Sequence, residues 1–197
     1  MADYSKLKIG ILALQGDYER HEHQVRLIGA SPRLVKLPKD LDNLDGIILP
    51  GGESTTMSIL LDRHQLRGSL LEFCRKRPVY GTCAGMIMLA TRIEDNQSEV
   101  IPLGLMDIDV IRNGYGRQVF SFEDTVEILM NDGLRSVRAA FIRAPRVTRV
   151  GIAVETLARY KGSPALVRQG NLLAGSFHAE LEDDTTLLRL FVDKLFG

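Results

Sequence analysis

The chain has 197 residues, 45% hydrophobic and 25% charged, which suits a globular protein with one sizeable core. Lys and Arg number 25, as do Asp and Glu, so a formal net charge of zero gives no support for binding to nucleic acid. No apolar run reaches the ~18 residues of a membrane span, the N-terminus lacks a secretory segment, and two cysteines are too few for a disulfide scaffold. We therefore expect a full-length, soluble, cytoplasmic protein with one domain over residues 1–197.

Apolar runs and helical patterns alternate through the first half of the chain. The predicted strands cover residues 8–14, 34–36, 45–49 and 78–81, and the predicted helices cover 18–29, 54–61, 65–75 and a stretch from 86. Asp17 and Ser54 are the predicted N-caps of the first two helices. This alternation predicts an open, mostly parallel sheet flanked by helices on both faces. Ligands of such sheets bind beyond the carboxyl ends of the strands, where Gln15, residues 51–53 and Cys83 fall.

The second half is richer in short β-forming runs. The predicted strands cover residues 106–112, 118–122, 125–129, 137–142 and 154–160, followed by a hairpin of 166–168 and 172–176 and a closing helix over 185–196. We expect extra antiparallel strands here, and a mobile loop over the polar segment 92–102.

The turn Gly81-Thr82-Cys83-Ala84-Gly85 lies between a predicted strand and a predicted helix. A cysteine with glycine two residues away on each side, in this context, has the layout of a nucleophile elbow. N–H groups at a helix start lower the pKa of a thiol and stabilise an oxyanion. We therefore predict that Cys83 is a nucleophile, whereas Cys74, on a predicted helix, is expected to be a small core residue.

His178 and Glu180 follow a predicted strand and are two residues apart, so both can face the same cleft. A base next to the sulfur and a carboxylate that orients the base complete the arrangement for acyl transfer. Gly51-Gly52-Glu53-Ser54 also follows a strand and can supply N–H donors to an oxyanion hole, with the N–H of Ala84 as the second half.

Other residues carry weaker signals. Arg112 and Arg143 end predicted strands, and arginine binds carboxylates through two parallel hydrogen bonds, although most arginines are solvated surface charges. His21 and His23 are two apart on a predicted helix and do not face each other, so we expect no metal site. No phosphate loop or dinucleotide motif is present in the sequence.

Six strings of residues together resemble a known family, the glutaminase subunits of pyridoxal 5′-phosphate synthase, which are class I triad glutamine amidotransferases. The strings cover residues 12–16, 49–57, 81–85, 116–118, 141–145 and 176–180. The cysteine turn and His-x-Glu are common to all triad amidotransferases, whereas Gly-Gly-Glu-Ser-Thr-Thr-Met and Phe-Ile-Arg-Ala-Pro are much more specific to this subfamily. The resemblance implies the flavodoxin-like fold of that class.

The resemblance also implies roles for individual residues. Cys83 attacks the side-chain amide of L-glutamine, His178 protonates the departing ammonia and then activates water, and Glu180 orients His178. The residues expected to contact glutamine are Gly52, Glu53, Ser54, Arg112, Ile142 and Arg143. The oxyanion-hole residues are Gly51, Gly52 and Ala84.

The implied partner is a (β/α)₈-barrel synthase subunit in a large hetero-oligomer, to which ammonia passes through an internal tunnel. Gln15 resembles the glutamine found where the two subunits meet, and docking is expected to order the oxyanion hole of an otherwise weak glutaminase. We expect no cofactor, no metal, no nucleic acid and no membrane.

One position departs from the family, which usually has proline where this chain has Ala179. Because proline fixes φ, alanine should leave the geometry of His178 and Glu180 reachable but less preorganised. Three alternatives stay open: a glutaminase for another synthase, such as that of the imidazole-glycerol phosphate pathway; a non-catalytic scaffold subunit; and a peptidase or deglycase on a similar fold.

Overall fold

The computed structural model describes residues 3–97, 99–115, 122–130 and 133–196. The helices are α1 (Tyr18–Leu27), α2 (Ser54–Arg63), α3 (Arg67–Lys76), α4 (Ala84–Leu89) and α5 (Thr186–Phe196). The strands are β1 (Lys8–Leu12), β2 (Ser31–Val35), β3 (Gly46–Leu49), β4 (Val79–Thr82), β5 (Ala90–Ile93), β6 (Met106–Ile111), β7 (Phe122–Met130), β8 (Gly133–Phe141), β9 (Arg146–Val150), β10 (Glu155–Tyr160), β11 (Ser163–Gln169) and β12 (Leu172–Gly175). No helix within these ranges is both long enough and apolar enough to cross a membrane.

The main sheet is mixed but mostly parallel, as the sequence predicts. Its order in the described residues is β10-β11-β12-β4-β3-β1-β2. Strands β12, β4, β3, β1 and β2 pair in parallel, while β11 pairs with β10 and with β12 in antiparallel fashion. The predicted terminal hairpin is therefore confirmed, and its second strand lies directly beside β4.

Both faces of the sheet are buried, which explains the uninterrupted apolar run of β3. Ile47 and Leu49 point to a core that also includes residues of α2, α3 and α4. Ile48 points to the opposite core, which includes residues of α1 and α5. Each fully buried side chain of this size contributes roughly 1.5–3 kcal/mol, so the two cores hold the central strands firmly in place.

The sheet order brings four chain segments to one edge. Strands β12, β4, β3 and β1 are consecutive neighbours and parallel, so the segments after them meet at their carboxyl ends. These segments carry His178, Cys83, the 51–53 turn and Gln15. The prediction that these residues lie at strand carboxyl ends is confirmed.

The second half differs from the prediction in two places. The segment predicted as a mobile loop begins inside β5, which pairs with β6, while β9, not predicted from the sequence, pairs with β6 on its other side. The predicted extra antiparallel strands are confirmed, since β6 pairs with β9 in this way and β7 and β8 form a separate antiparallel hairpin. Residues 116–118 of the resemblance, and 118–121 of a predicted strand, lie outside the described residues.

The capping predictions also need correction. Asp17 precedes α1 as predicted but makes no side-chain cap hydrogen bond. The N-cap of α2 is Glu53, not Ser54: its carboxylate accepts hydrogen bonds from the N–H groups of Thr55 and Thr56. The longer side chain of Glu53 reaches the free N–H groups of the first turn, and Ser54 is already helical.

Helix α4 packs unusually close to β3, and Gly85 makes this possible. A Cβ placed on Gly85 would lie 2.1 Å from the carbonyl oxygen of Leu49. Backbone on both sides of this contact leaves no flexible side chain to move away.

We expect Gly85→Ala to destabilise the protein by about 1–3 kcal/mol, the usual cost of overpacking a core. The measurement is the urea midpoint of unfolding at unchanged m-value. Gly68→Ala is the matched control, because Gly68 lies in α3 and a Cβ there meets no atom within 4 Å. The control should be equal to the wild type or up to about 1 kcal/mol more stable. Equal midpoints for Gly85→Ala and the wild type would contradict the close approach.

Candidate active site

Cys83 occupies the turn between β4 and α4 in a strained conformation, with φ 49° and ψ −103°. Its N–H donates a hydrogen bond to the carbonyl oxygen of Gly175 at 2.8 Å, which ties the turn to β12. Strain of this kind costs roughly 1–3 kcal/mol and persists where surrounding packing enforces it. The residue is largely buried, but it lies at the start of α4 and lines the cavity described below, in the strand-to-helix position of a nucleophile elbow.

His178 is fixed by hydrogen bonds of its backbone to β8 and of its ring to Glu180 and Cys83. Its backbone exchanges two hydrogen bonds with Ala140 of β8, at 2.8 and 3.1 Å. Its ring Nδ1 lies 2.7 Å from Oε1 of Glu180, and its side chain is hydrogen-bonded to Cys83. The three predicted triad residues therefore form one chain of contacts, in the order Cys83, His178, Glu180.

The electrostatics of these contacts favour the protonated, positively charged form of His178. Burial lowers the pKa of His178, but hydrogen bonds to Cys83 and Glu180 and their negative charges outweigh burial and raise it above the ordinary value. Burial likewise raises the pKa of Glu180, and the adjacent His21 and His178 outweigh it and hold the carboxyl pKa far below its usual range. An ionised Glu180 stabilises an imidazolium at His178.

Ala179, where the family usually has proline, leaves this geometry intact. The residue is buried, and the contact between His178 and Glu180 on either side of it is short. The following segment is tied to α1 by Gln24, whose Nε2 donates to the carbonyl oxygens of Glu182 and Asp184 at 3.1 and 3.0 Å. Hydrogen bonds from a neighbouring helix thus restrain the segment in which proline is missing.

The 51–53 turn is shaped around two side chains. A Cβ on Gly51 would lie 2.2 Å from Cε1 of His178, and a Cβ on Gly52 would lie 2.2 Å from Oε1 of Gln15. The same Oε1 accepts a hydrogen bond from the N–H of Glu53 at 2.9 Å. Gln15 therefore holds the turn in the free chain, next to the residues predicted to form the oxyanion hole.

The carboxylate of Glu53 connects α2 to Arg112, the residue that follows β6. Besides capping α2, its Oε1 lies 3.0 Å from Nη2 of Arg112, which also donates to the hydroxyl of Thr55 at 3.2 Å. Partial burial raises the pKa of Glu53, but the N–H and hydroxyl donors of Thr55 and Thr56 outweigh burial and lower it to about 2.

A cavity of about 220 Å³ opens above Cys83. Most of the predicted site residues line it, namely Gly52, Glu53, Ser54, Cys83, Arg112, Ile142, Arg143 and His178. Gly51 and Ala84 do not line the cavity: Gly51 backs onto the ring of His178, and Ala84 is buried as the first residue of α4. The role of these two residues in an oxyanion hole stays a prediction.

Three lining residues were not predicted from the sequence: Asp17, Ile87 and Asn113. Each had a local signal. Asp17 is two residues after Gln15 at the same strand end, Ile87 is one helical turn after Cys83, and Asn113 follows Arg112. With Asp17 and Glu53 opposite in charge to Arg112 and Arg143, the rim suits a ligand that carries both signs.

Arg143 has a conformation that fits a functional role. Its φ is 48°, in the left-handed region that residues other than glycine rarely adopt. It is exposed on the rim and has no carboxylate partner among the described residues. Next to it, the carbonyl oxygen of Ile142 lies 3.9 Å from the sulfur of Cys83.

Histidines and cysteines outside the triad do not form a metal site in the described part of the chain, where no three His, Cys, Asp or Glu side chains are suitably grouped. His23 lies 3.3 Å from exposed Asp183, whereas His21 is buried. Cys74 is fully buried on α3, as predicted, and burial raises the pKa of its thiol to about 12.

A mostly parallel sheet with a strained cysteine turn and an adjacent His-x-Glu pair is the arrangement of the α/β enzymes that use a cysteine nucleophile. The chain belongs to the SNO glutamine amidotransferase family, whose model matches residues 11–196. This confirms the family and the fold class predicted from the sequence.

Individual relatives cover almost the whole chain. The chain is 49% identical over 188 residues to the pyridoxal 5′-phosphate synthase subunit PdxT of Thermotoga sp. (strain RQ2), covering 95% of this chain and 98% of the relative. It is 42% identical over 187 residues to the protein of the same name from Francisella philomiragia subsp. philomiragia, with 95% and 98% covered. A crystal structure described as a glutamine amidotransferase superposes with a TM-score of 0.88 at 40% identity, covering 96% of this chain and 99% of that one.

The carboxylate of Glu53, which caps α2, should make the stability of the fold depend on pH in the acid range. Because the folded-state pKa of Glu53 is about 2 and its ordinary value is 4.5, its charge stabilises the fold above pH 4.5. That contribution is lost as the pH falls from 4.5 toward 2. We expect Glu53→Gln to have a lower Tm than the wild type at pH 7, and the difference to narrow below pH 4.5.

The comparison variant is Glu53→Ala, which removes the acceptor oxygens altogether. Its Tm should stay below those of the wild type and of Glu53→Gln at every pH tested. A Tm difference between Glu53→Gln and the wild type that stays constant from pH 7 to pH 3 would contradict this assignment.

Proposed function

We propose that this chain hydrolyses L-glutamine to L-glutamate and ammonia through Cys83, His178 and Glu180, as the glutaminase subunit of a pyridoxal 5′-phosphate synthase. One observation carries the proposal: a buried, strained cysteine is hydrogen-bonded to a histidine that is itself bound to a buried glutamate, beneath a small cavity. Membership of the SNO family and the names of the close relatives support it.

The chemistry follows from the order of contacts. The Cys83 thiolate adds to the amide carbon of glutamine, and the C–N bond breaks as His178 gives its Nε2 proton to the departing nitrogen. His178, now neutral, takes a proton from water, whose oxygen adds to the thioester carbon. The C–S bond breaks, glutamate leaves, and the thiolate and imidazolium are restored. Because Nδ1 of His178 is bound to Glu180, Nε2 is the nitrogen left to face the sulfur.

The rim of the cavity supports an amino acid as substrate. The guanidinium of Arg143, which lacks a carboxylate partner in the described residues, is suited to the α-carboxylate of glutamine. The carboxylates of Asp17 and Glu53 are suited to the α-ammonium group. Arg112 is already engaged with Glu53 and acts by fixing that carboxylate in place.

The names of the relatives and the position of Gln15 support a partner subunit. We propose a (β/α)₈-barrel synthase subunit as the partner, in a large hetero-oligomer through which ammonia passes directly. Gln15 supports this because it lies beside the 51–53 turn, so that docking there would act on the turn above Cys83. We also propose a cytoplasmic setting, which is supported by the free thiols of Cys74 and Cys83, and one glutamine amidotransferase domain over residues 1–197.

The alternatives from the sequence make different predictions. A scaffold subunit has no need of a strained cysteine turn, and a peptidase has no need of a small rim that carries both charges. A glutaminase for another synthase keeps the whole site, so partner specificity is what separates it from the proposal.

The decisive experiment measures glutamate released from glutamine by the chain alone and with a pyridoxal 5′-phosphate synthase barrel subunit. We expect strong stimulation by the partner. Cys83→Ala should abolish release, since the nucleophile is gone, yet bind the partner as the wild type does. Turnover by Cys83→Ala comparable to the wild type would overturn the assignment of the nucleophile. Stimulation by the subunit of a different synthase, and not by the pyridoxal 5′-phosphate synthase barrel subunit, would overturn the proposed partner.

Gln15→Ala should weaken the complex, because the side chain that holds the 51–53 turn next to the proposed interface is lost. We expect Kd to rise by about five-fold or more, which corresponds to the ~1 kcal/mol of a contributing interface residue. Calorimetric titration with the barrel subunit measures this. Gln97→Ala, an exposed glutamine, is the control. An unchanged Kd for Gln15→Ala would remove Gln15 from the interface.

A further inference from the structure

Behind the triad, helix α1 places a second histidine against Glu180. Nε2 of His21 lies 3.5 Å from Oε1 of Glu180 and 3.2 Å from the hydroxyl oxygen of Thr82, the residue before Cys83. The ring is buried and meets Tyr80 edge-on, with 6.2 Å between ring centroids. His21 thus contacts the strand that leads to the nucleophile and the carboxylate that orients the base.

Glu180 needs such a neighbour. The carboxylate is buried, and its Oε1 already receives the Nδ1–H of His178. Its Oε2 is also buried and has no hydrogen-bond partner among the described residues. A buried carboxylate with one strong donor is costly to keep ionised, and a second polar hydrogen directed at the same Oε1 offsets part of that cost.

The contacts of His21 determine which atom carries its proton. An unprotonated Nε2 would set a lone pair against the carboxylate oxygen in a buried site, which is repulsive. With a proton on Nε2, the ring donates toward Thr82 and Glu180 at once. Burial raises the pKa of Glu180, and the neighbouring His21 is the largest of the influences that lower it.

We propose that His21 is a positioning residue of this enzyme: from α1 it holds the Glu180 carboxylate in place, and Glu180 in turn orients His178. Gln24, one helical turn further along α1, holds the carbonyl groups of Glu182 and Asp184 in the same segment. Helix α1 therefore supports the triad segment at two points. The inference deepens the proposed glutaminase function and rests on it.

The test uses two amides of different length. In His21→Gln the side-chain nitrogen stands near the place of the imidazole Nε2, whereas in His21→Asn it stops near the place of Nδ1. We expect His21→Asn to lower the kcat of partner-stimulated glutaminase by about ten-fold, part of the roughly 10²- to 10⁴-fold that an oriented base supplies. KM should stay within about two-fold, because His21 is not among the residues that line the cavity. His21→Gln should recover most of the kcat.

Two readouts need neither glutamine nor partner. The first is the proton resonance of the His178 Nδ1–H, which should move upfield in His21→Asn as its carboxylate partner becomes less fixed. The second is the pH profile of Cys83 alkylation by iodoacetamide, which should shift in His21→Asn and not in His21→Gln. The titratable groups around Glu180 are His21, His178 and Tyr80, and Tyr80 stays neutral because burial and the Glu180 charge raise its pKa.

The matched control is His23→Gln on the same helix, since His23 is half exposed and paired with Asp183. It should change none of these measurements. His21→Ser repeats the removal in case His21→Asn does not fold.

Unchanged kcat, resonance and alkylation profile in a folded removal variant would overturn the proposal. Equal losses in His21→Gln and His21→Asn, in step with an equal fall in Tm, would also overturn it and leave His21 a purely structural residue. If the wild type itself shows no glutaminase activity with its partner, the proposed function fails, and the resonance and alkylation results alone decide on His21.

Discussion

The turn at Cys83 is the constraint on which the rest of the site depends. A residue with φ near 49° between a strand and a helix is unfavourable by itself, so its neighbours must enforce it. Two contacts do so: the N–H of Cys83 binds Gly175 on β12, and Gly85 allows α4 to lie against the backbone of Leu49 on β3. The central parallel strands thus form the core of the fold and also fix the position of the Cys83 turn.

A chain of buried polar contacts extends from this turn. Cys83 contacts His178, His178 contacts Glu180, and Glu180 contacts His21 on helix α1. In a low-dielectric interior each group is stabilised by the next, and removing one leaves its neighbour without a partner. The cavity side of the chain does the chemistry proposed here, while the far side is anchored in the packing between α1 and β4.

Much of this could be predicted from the sequence because the signals are local. The parallel strands are uninterrupted apolar runs, and the cysteine turn and the His-x-Glu pair are short motifs at strand ends. The sequence does not reveal strands β5 and β9, because they are short and partly polar, with Thr91 and Arg92 in one and Thr148 and Arg149 in the other. The cap of α2 was misassigned because Glu53 and Ser54 can both accept hydrogen bonds from a first turn, and the backbone decides between them. His21 carries no local signal: it is one polar residue on a polar helix, and its partner is near the other end of the chain.

The position of β12 has a consequence for how the site comes into being. His178 and Glu180 follow this strand, which pairs with β4 in the middle of the sheet although it comes almost last in the sequence. Contacts between residues so far apart close large loops, and the entropic cost of closing these loops precedes any gain from the contacts. During synthesis, Cys83 emerges well before His178, and a chain stopped short of β12 has a Cys83 thiol without this neighbour. The contact between Cys83 and His178 is therefore one that the polypeptide acquires only once its last strand has joined the sheet.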